Sequence, residues 1–174
     1  MKKSKNFTVH IPRWEELPDI DLYLDQVITF IDKSLSGFID YNSQEDNNKI
    51  LTKTMVNNYV KQKIIDAPIK KKYNRTNVAC LIIICILKQV YSINDISKLI
   101  KIGLVNTPEK IAYNTFCESL ENAIDFTFNK NRNLDYSEHS RVEYLLFNVV
   151  QTFASKLYVQ KTYLKNVKKN KSEK

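Results

Sequence analysis

Residues 76–89 read TNVACLIIICILKQ, and this stretch decides the fold class. Its β-branched residues favour a strand by intrinsic propensity. The segment is nevertheless longer than a typical strand and has no glycine at either end, which favours a helix. Because apolar side chains would then lie on all sides, we expect it to be the central buried helix of the protein.

The composition of the 174-residue chain supports an all-α fold, with at most a minimal β wing. Only two glycines, Gly37 and Gly103, and four prolines occur, whereas all-β folds and phosphate-cradling loops use glycine at their turns. This scarcity argues against Rossmann and P-loop proteins. The length corresponds to one compact unit with an extension.

The sequence also indicates a cytoplasmic protein. The longest apolar run, residues 78–87, has ten residues, whereas a membrane span needs about 20. The basic N-terminal residues are not followed by the apolar segment of a signal peptide. The short apolar run therefore also predicts that the protein does not partner with a membrane. Cys80, Cys85 and Cys117 lack the spacing of a disulfide framework or a zinc site, so we expect them to be reduced thiols in the core.

Apolar periodicity predicts further helices on both sides of the central one. They are expected over residues 21–36, 52–61, from 92 onward, 107–128 and 136–167. Their expected caps are Asp19 or Asp21, Thr52, Ser92 in a capping box with Asp95, Thr107 ahead of Pro108, and Asp135 with Glu138. Residues 41–49 and 129–134 are predicted loops, and residues 69–73 are predicted to form one side of a hairpin-like wing.

The net charge of +8 is unevenly distributed. Residues 12–50 have a net charge of −6, whereas residues 51–75 and 156–174 each have a net charge of +6. Compact basic segments steer proteins toward polyanions. The alternative is that lysine is simply common in this chain, as it is in proteins from AT-rich genomes.

The segment 51–75 combines these cations with residue types that read DNA bases. The outer face of the predicted helix 52–61 carries Thr54, Asn57 and Asn58, whose hydroxyl and amide groups suit contacts to base edges in the major groove. We expect contacts to the DNA backbone from Lys53, Lys61, Lys63, Lys70, Lys71, Lys72, Tyr73 and Arg75. Tyr73 offers either a hydroxyl or a packing ring. The alternative for helix 52–61 is that Asn57 and Asn58 are merely solvated and that Tyr59 is a core residue.

These residues resemble the winged helix-turn-helix domain of MerR-type bacterial regulators. That family has an Arg-Tyr-Tyr-type recognition helix, a Gly-Leu and Pro turn, a wing with Arg and Tyr, an apolar helix, and a helix beginning Ser-Leu-x-x-Ile. The matching residues here are Asn58-Tyr59-Val60-Lys61, Ile64-Ile65, Pro68, Lys72-Tyr73, Leu81, Ile84, Leu87 and residues 92–100.

Residues 14–23, WEELPDIDLY, and 51–61, LTKTMVNNYVK, are closer still to an uncharacterised family of Gram-positive bacterial proteins regarded as MerR-like. The resemblance covers roughly residues 12–120. Two departures affect the turn and the wing: Ile64 stands where MerR proteins have glycine in the turn, and Lys70 to Lys72 replace the glycine and arginine of the wing. They predict a wing that is shortened or absent.

The resemblance implies a sequence-specific transcriptional regulator that binds double-stranded DNA as a homodimer. We expect a basic flexible arm over 1–11, the DNA-binding domain over 12–105, a helical part for dimerisation or packing over 106–168, and a basic disordered tail over 169–174. No effector-binding cysteine cluster follows, so metal sensing is not implied.

Two other classes of function are alternatives to this one. A helical interaction adaptor could capture an acidic partner through the same basic segment. An enzyme has little support, because His10 and His139 have no carboxylate or cysteine at ligand spacing. We therefore expect no catalytic residues, no metal and no cofactor.

Overall fold

The computed structural model describes residues 7–39, 49–129 and 140–164. Within these ranges the chain is mostly helical, with one small two-stranded antiparallel sheet. The elements are β1 (Leu22–Tyr23), α1 (Leu24–Leu35), α2 (Lys53–Lys61), β2 (Lys72–Tyr73), α3 (Arg75–Leu87), α4 (Ile93–Gly103), α5 (Glu109–Asn129) and α6 (Arg141–Val159). The predicted all-α fold with a minimal β wing is confirmed. None of the helices described is long and apolar enough to cross a membrane.

The chain divides into two compact units. One comprises Ile11–Cys117, and the other comprises Met1–His10 together with Glu118–Lys174, as far as these are described. The division falls inside α5 rather than at the predicted boundary between residues 105 and 106. The first half of α5 therefore belongs to the same unit as α1 to α4.

Helix α3 is the buried centre of the Ile11–Cys117 unit, as predicted. Its buried side chains occur on every face of the helix: Asn77, Val78, Ala79, Leu81, Ile82, Ile84, Cys85, Ile86 and Leu87. Asn74 caps the helix by accepting a hydrogen bond from the Asn77 N–H (2.9 Å), and the Asn77 side chain accepts one from the Asn74 N–H (3.1 Å). Asn77 also donates to the Asp66 carbonyl (3.2 Å), so this one buried amide satisfies both the helix start and the preceding loop.

A clamp around Ile50 fixes the chain between α1 and α2. The Ile50 N–H donates to Asp32 Oδ1 on α1 (3.2 Å), and Lys88 Nζ at the end of α3 donates to the Ile50 carbonyl (2.6 Å). Ile50 and Leu51 are buried, and Thr52 then caps α2 as predicted, accepting from the Met55 N–H (3.2 Å). The start of α2 is thus attached to both neighbouring helices.

The start of α1 differs from the prediction. Residues 22 and 23, expected in the first helical turn, form strand β1 and pair with β2 in the register Leu22 to Tyr73 and Tyr23 to Lys72. Neither Asp19 nor Asp21 caps the helix. The Tyr23 N–H instead donates to Gln26 Oε1 (2.9 Å), because the residue before the helix is already held in an extended conformation by its strand pairing.

The other helix boundaries are close to the predicted ones. Ser92 caps α4 as predicted, because its hydroxyl accepts a hydrogen bond from the Asp95 N–H (3.2 Å). The Asp95 side chain reaches back and accepts a hydrogen bond from the Ser92 hydroxyl (2.6 Å). Helix α5 begins at Glu109, directly after Pro108, and α3 begins at Arg75, one residue before the predicted start at Thr76. The predicted caps Asp135 and Glu138, most of the loop 41–49, residues 130–134 and the tail 169–174 lie outside the described residues.

The second unit differs from prediction at its N-terminal part. Phe7 was expected in a flexible arm, but its ring stacks on Phe128 of α5 with centroids 4.3 Å apart. The Asn129 side chain also bonds to both the N–H and the carbonyl of Phe7 (3.2 Å each). Residues 1–6 of the predicted arm lie outside the described residues. Helix α6 is capped by Ser140 and ends in a wider turn, Gln160–Leu164.

We expect the variant Lys88→Met to lower the free energy of unfolding by about 2 kcal/mol, because it removes a charge-assisted hydrogen bond to a buried carbonyl while keeping the aliphatic stem. Chemical denaturation measures the change. The matched control is Lys101→Met, because Lys101 is exposed on α4 and its replacement should shift stability by less than about 0.5 kcal/mol. Equal stabilities of the two variants would contradict the clamp.

Candidate functional site

Helix α2 presents a polar face to solvent and an apolar face to the core. Val56 and Tyr59 are buried, with Met55 and Val60 half-buried beside them. The exposed face carries every predicted base-contact residue and two of the predicted backbone-contact lysines: Lys53, Thr54, Asn57, Asn58 and Lys61. The structure therefore brings these five side chains together on one surface, as the periodicity predicted.

Lys63 lies just beyond α2, in a left-handed backbone conformation with φ of 56°. The Ile64 N–H bonds to the Tyr59 carbonyl and the Lys63 N–H to the Val60 carbonyl (2.9 Å each), which is the Schellman arrangement that ends a helix. Glycine is the usual residue at the left-handed position. Here an exposed lysine occupies it, one residue before Ile64, where the resemblance to MerR proteins would place a glycine.

The wing is present as a two-residue turn. Ile69 and Lys72 exchange both backbone hydrogen bonds (3.0 and 2.9 Å), and the intervening Lys70 and Lys71 have φ of 49° and 66°. Two successive positive φ values define the type I′ turn, which normally contains Asn-Gly. The sequence predicts a wing that is shortened or absent. The wing is present and short, and two exposed lysines form its tip.

Two of the side chains that were predicted to contact the DNA backbone, Tyr73 and Arg75, instead make contacts within the protein. Tyr73 is only 3% exposed, and burial raises its pKa. It is a packing ring rather than a side chain free to reach a phosphate. Arg75 Nε donates to the Pro18 carbonyl (3.2 Å), and its guanidinium lies 6.0 Å from the centre of the Trp14 ring. The burial of Tyr73 argues against its predicted contact with the DNA backbone. Arg75 helps to hold the N-terminal segment in place, and its contact with the DNA backbone stays a prediction.

The segment 23–25 contributes two contacts to the site that the sequence did not reveal. Asp25 on α1 forms an ion pair with Lys53 (2.8 Å), and Lys72 Nζ lies 5.2 Å from the centre of the Tyr23 ring. The signal that could have located Tyr23 is the order of residue types. A core residue, Leu22, precedes Tyr23, and a core residue, Tyr73, follows Lys72, as expected for two antiparallel strands that pair. The basic site is defined here as Lys53, Thr54, Asn57, Asn58 and Lys61 of α2 together with Lys63, Lys70, Lys71 and Lys72; Tyr23 of β1 and Asp25 of α1 border it.

A second polar cluster joins the segment around Trp14 to α5 within the same unit. Asn114 accepts a hydrogen bond from the Trp14 N–H (2.8 Å), and the buried Tyr113 donates to the Pro12 carbonyl (2.8 Å). Hydrogen bonding to Lys110 lowers the pKa of Glu15 to about 2. These groups all have partners, which indicates a structural role.

Nucleophilic chemistry has no support among the buried thiols. Burial raises the pKa of Cys80 to about 11 and that of Cys85 to about 12, and a thiol must ionise to act as a nucleophile or metal ligand. In the part of the chain that the structure describes, no three His, Cys, Asp or Glu side chains are grouped as metal ligands.

We expect Cys80 and Cys85 to react slowly with a maleimide at pH 7.5 in the folded protein and rapidly in denaturant. Because their folded pKa values lie above the unfolded value of about 8.5, the stability they contribute is complete below that pH and is lost as the pH rises through the folded values. Unfolding free energies measured from pH 7 to pH 11 should therefore decline above about pH 9. A Cys80→Ser and Cys85→Ala double variant should show a shallower decline, and an identical decline would refute the assignment.

Comparison with known proteins adds one finding. No curated protein and no solved structure matches the chain. Residues 12–120 match the model of a family described as "Domain of unknown function (DUF1836)". The matched range covers β1, the basic site, α3, α4 and the first half of α5, which is more than half of the 174 residues. The chain therefore belongs to the DUF1836 family.

Proposed function

We propose that this protein is a cytoplasmic, sequence-specific DNA-binding transcriptional regulator. Helix α2 enters the major groove with Thr54, Asn57 and Asn58 toward the bases, and the lysines of α2 and the wing contact phosphates. The observation that carries this proposal is the joint exposure of two amides and five lysines on α2 and the adjoining turns.

The dimensions and chemistry of α2 support the proposal. An α-helix with its side chains is about 10–12 Å across, and the major groove is about 12 Å wide, so the nine-residue helix α2 can enter the groove. Asn57 and Asn58 are successive exposed residues, so their amides project over neighbouring positions of the same surface. An asparagine amide can donate to and accept from one adenine edge at once, which gives the sequence dependence that a lysine alone does not provide.

The three lysines with positive φ support contacts to phosphates. A non-glycine residue in the left-handed region costs about 1 kcal/mol, and Lys63, Lys70 and Lys71 all lie there. Glycine or asparagine would adopt these conformations at lower cost. The presence of lysine at each position is explained if its ammonium group binds an anion, since binding energy then offsets the local strain.

The order of elements also supports the MerR-like interpretation. A capped recognition helix, a turn, a short wing, an apolar helix and a serine-capped helix follow one another, as the resemblance implies. Proteins of this kind bind two half-sites as symmetric dimers. In the second unit, Val142, Tyr144 and Leu145 on α6 are exposed apolar side chains, which suits them to a homodimer contact.

We expect an Asn57→Ala and Asn58→Ala double variant to lose discrimination between selected and random DNA. Each lost bidentate contact is worth about 1–3 kcal/mol, whereas the phosphate contacts remain. Fluorescence anisotropy with duplexes selected from a random library should show at least tenfold weaker binding to the selected sequence and an unchanged salt dependence. A matched variant on α4, Asn94→Ala, should behave as wild type. Unaltered discrimination in the double variant would remove α2 from base reading.

We expect a Lys70→Asn and Lys71→Gly double variant to be more stable than wild type but to bind DNA more weakly. Asn-Gly suits a type I′ turn, so the melting temperature should rise. Loss of two phosphate contacts should reduce the salt slope of log K by nearly 2. Lys98→Ala and Lys101→Ala on α4 give a control with the same change in net charge. A rise in stability without any loss of affinity would refute the role of the wing.

The adaptor alternative predicts a different result with the wild-type protein. If the chain shows no preference for any genomic fragment over random DNA at fixed salt, the DNA-reading function of α2 fails. The basic surface would then be assigned to an acidic protein partner.

A further inference from the structure

Residues Tyr23 and Asp25 lie at the edge of the basic site and each engages one of its lysines. Asp25 Oδ1 is 2.8 Å from Lys53 Nζ, and the Tyr23 ring lies beneath Lys72 Nζ at 5.2 Å from the ring centre. Lys53 is the first residue of α2, whereas Lys72 belongs to β2. A segment of three residues therefore holds a cation from each of the two DNA-facing elements.

The two contacts differ in their effect on a phosphate. The carboxylate of Asp25 forms an ion pair with the ammonium group of Lys53. Because it is negatively charged, as a phosphate is, the carboxylate and a phosphate compete for this lysine. Both side chains are exposed, Lys53 by 61% and Asp25 by 75%, and exposed ion pairs contribute little to stability. A phosphate can therefore displace the carboxylate, but only against the competition of the pair and the repulsion from Asp25.

Tyr23 acts on Lys72 without neutralising it. The pairing of Tyr23 with Lys72, together with the bridge between Lys72 and Ile69, sets these side chains in one row across the small sheet. The partner pair Leu22 and Tyr73 is buried, whereas Tyr23 is 52% exposed, so the row faces solvent. A ring face attracts an ammonium group and restricts its side chain, which leaves the positive charge available to a further ligand.

We propose that Tyr23 and Asp25 are positioning residues that set the affinity of the basic site for DNA in opposite directions. Tyr23 orders Lys72 for a phosphate contact. Asp25 is a built-in competitor that occupies Lys53 until a phosphate replaces it. This inference rests on the proposed function, because it requires the two lysines to meet the DNA backbone.

Four single variants test the two residues in pairs. Asp25→Asn should bind duplex DNA about threefold to tenfold more tightly near 0.1 M salt, because the phosphate at Lys53 then has no carboxylate to displace. The salt slope of log K should stay close to that of wild type, because Lys53 meets a phosphate in both complexes. Asp25→Glu should stay close to wild type. Tyr23→Leu should bind about threefold more weakly, whereas Tyr23→Phe, which keeps the ring face, should retain wild-type affinity. All Tyr23 variants keep the main-chain bond to Gln26.

A matched control separates the local effect of Asp25 from a change in net charge. Glu15 forms an exposed ion pair with Lys110 in the same unit, and Glu15→Gln makes the same change in charge outside the basic site. It should leave the affinity and the salt slope unchanged. Thermal melting of each variant accompanies the binding curves, since a structural effect of Tyr23→Leu would lower the melting temperature, whereas loss of the ring contact to Lys72 alone would leave it unchanged.

The outcomes distinguish this inference from the proposed function. The probe is a duplex selected by the full-length wild-type chain from a random library. If wild type selects no sequence, the proposed function fails. If wild type selects DNA but Asp25→Asn matches Glu15→Gln, or Tyr23→Phe binds as weakly as Tyr23→Leu, then the proposed function stands and the positioning role is overturned.

Discussion

The packing of α3 is the constraint on which the rest of the Ile11–Cys117 unit depends. Nine of its thirteen residues are buried, so the helix cannot lie at a surface and must be covered on every side. Helices α1 and α4 both pack against it. Its two ends carry the polar groups that organise the neighbouring chain: Asn77 holds the loop before the wing, and Lys88 holds the segment before α2. The polar groups at the two ends of the apolar helix α3 thus fix the positions of the wing and of α2, which together carry the basic site.

The predictable part of the fold is the part governed by local periodicity and capping. Thr52, Ser92 and the apolar faces of α2, α3 and α4 follow from short-range rules, and the structure agrees with them. Strand β1 was missed because Leu22 and Tyr23 continue the apolar pattern of α1, and only their pairing with residues about 50 positions later makes them extended. Phe7 was misassigned for a related reason, since nothing local indicates its stacking on Phe128.

The candidate site also has some features that short-range rules predict and others that depend on residues distant in the sequence. The exposed face of α2 could be predicted from helical spacing, because that face is complementary to the buried one. The internal bonds of Arg75 could not be predicted, because they depend on the long-range neighbours Trp14 and Pro18. The burial of Tyr73 depends likewise on its pairing with Leu22, about 50 positions earlier. Equally, no sequence rule places lysine at positive φ. The left-handed conformations of Lys63, Lys70 and Lys71 arise from the hydrogen bonds of a helix end and a hairpin, which overrule the preference of the side chain.

The clamp at Ile50 has a consequence for the orientation of α2. Phe38 and Ile39 are buried beyond the end of α1, and Ile50 and Leu51 are buried before α2. The last residues before α2 are held by Asp32 of α1 and by Lys88 at the end of α3. A substitution at Asp32 or Lys88 can therefore turn the polar face of α2 without changing any residue of that face.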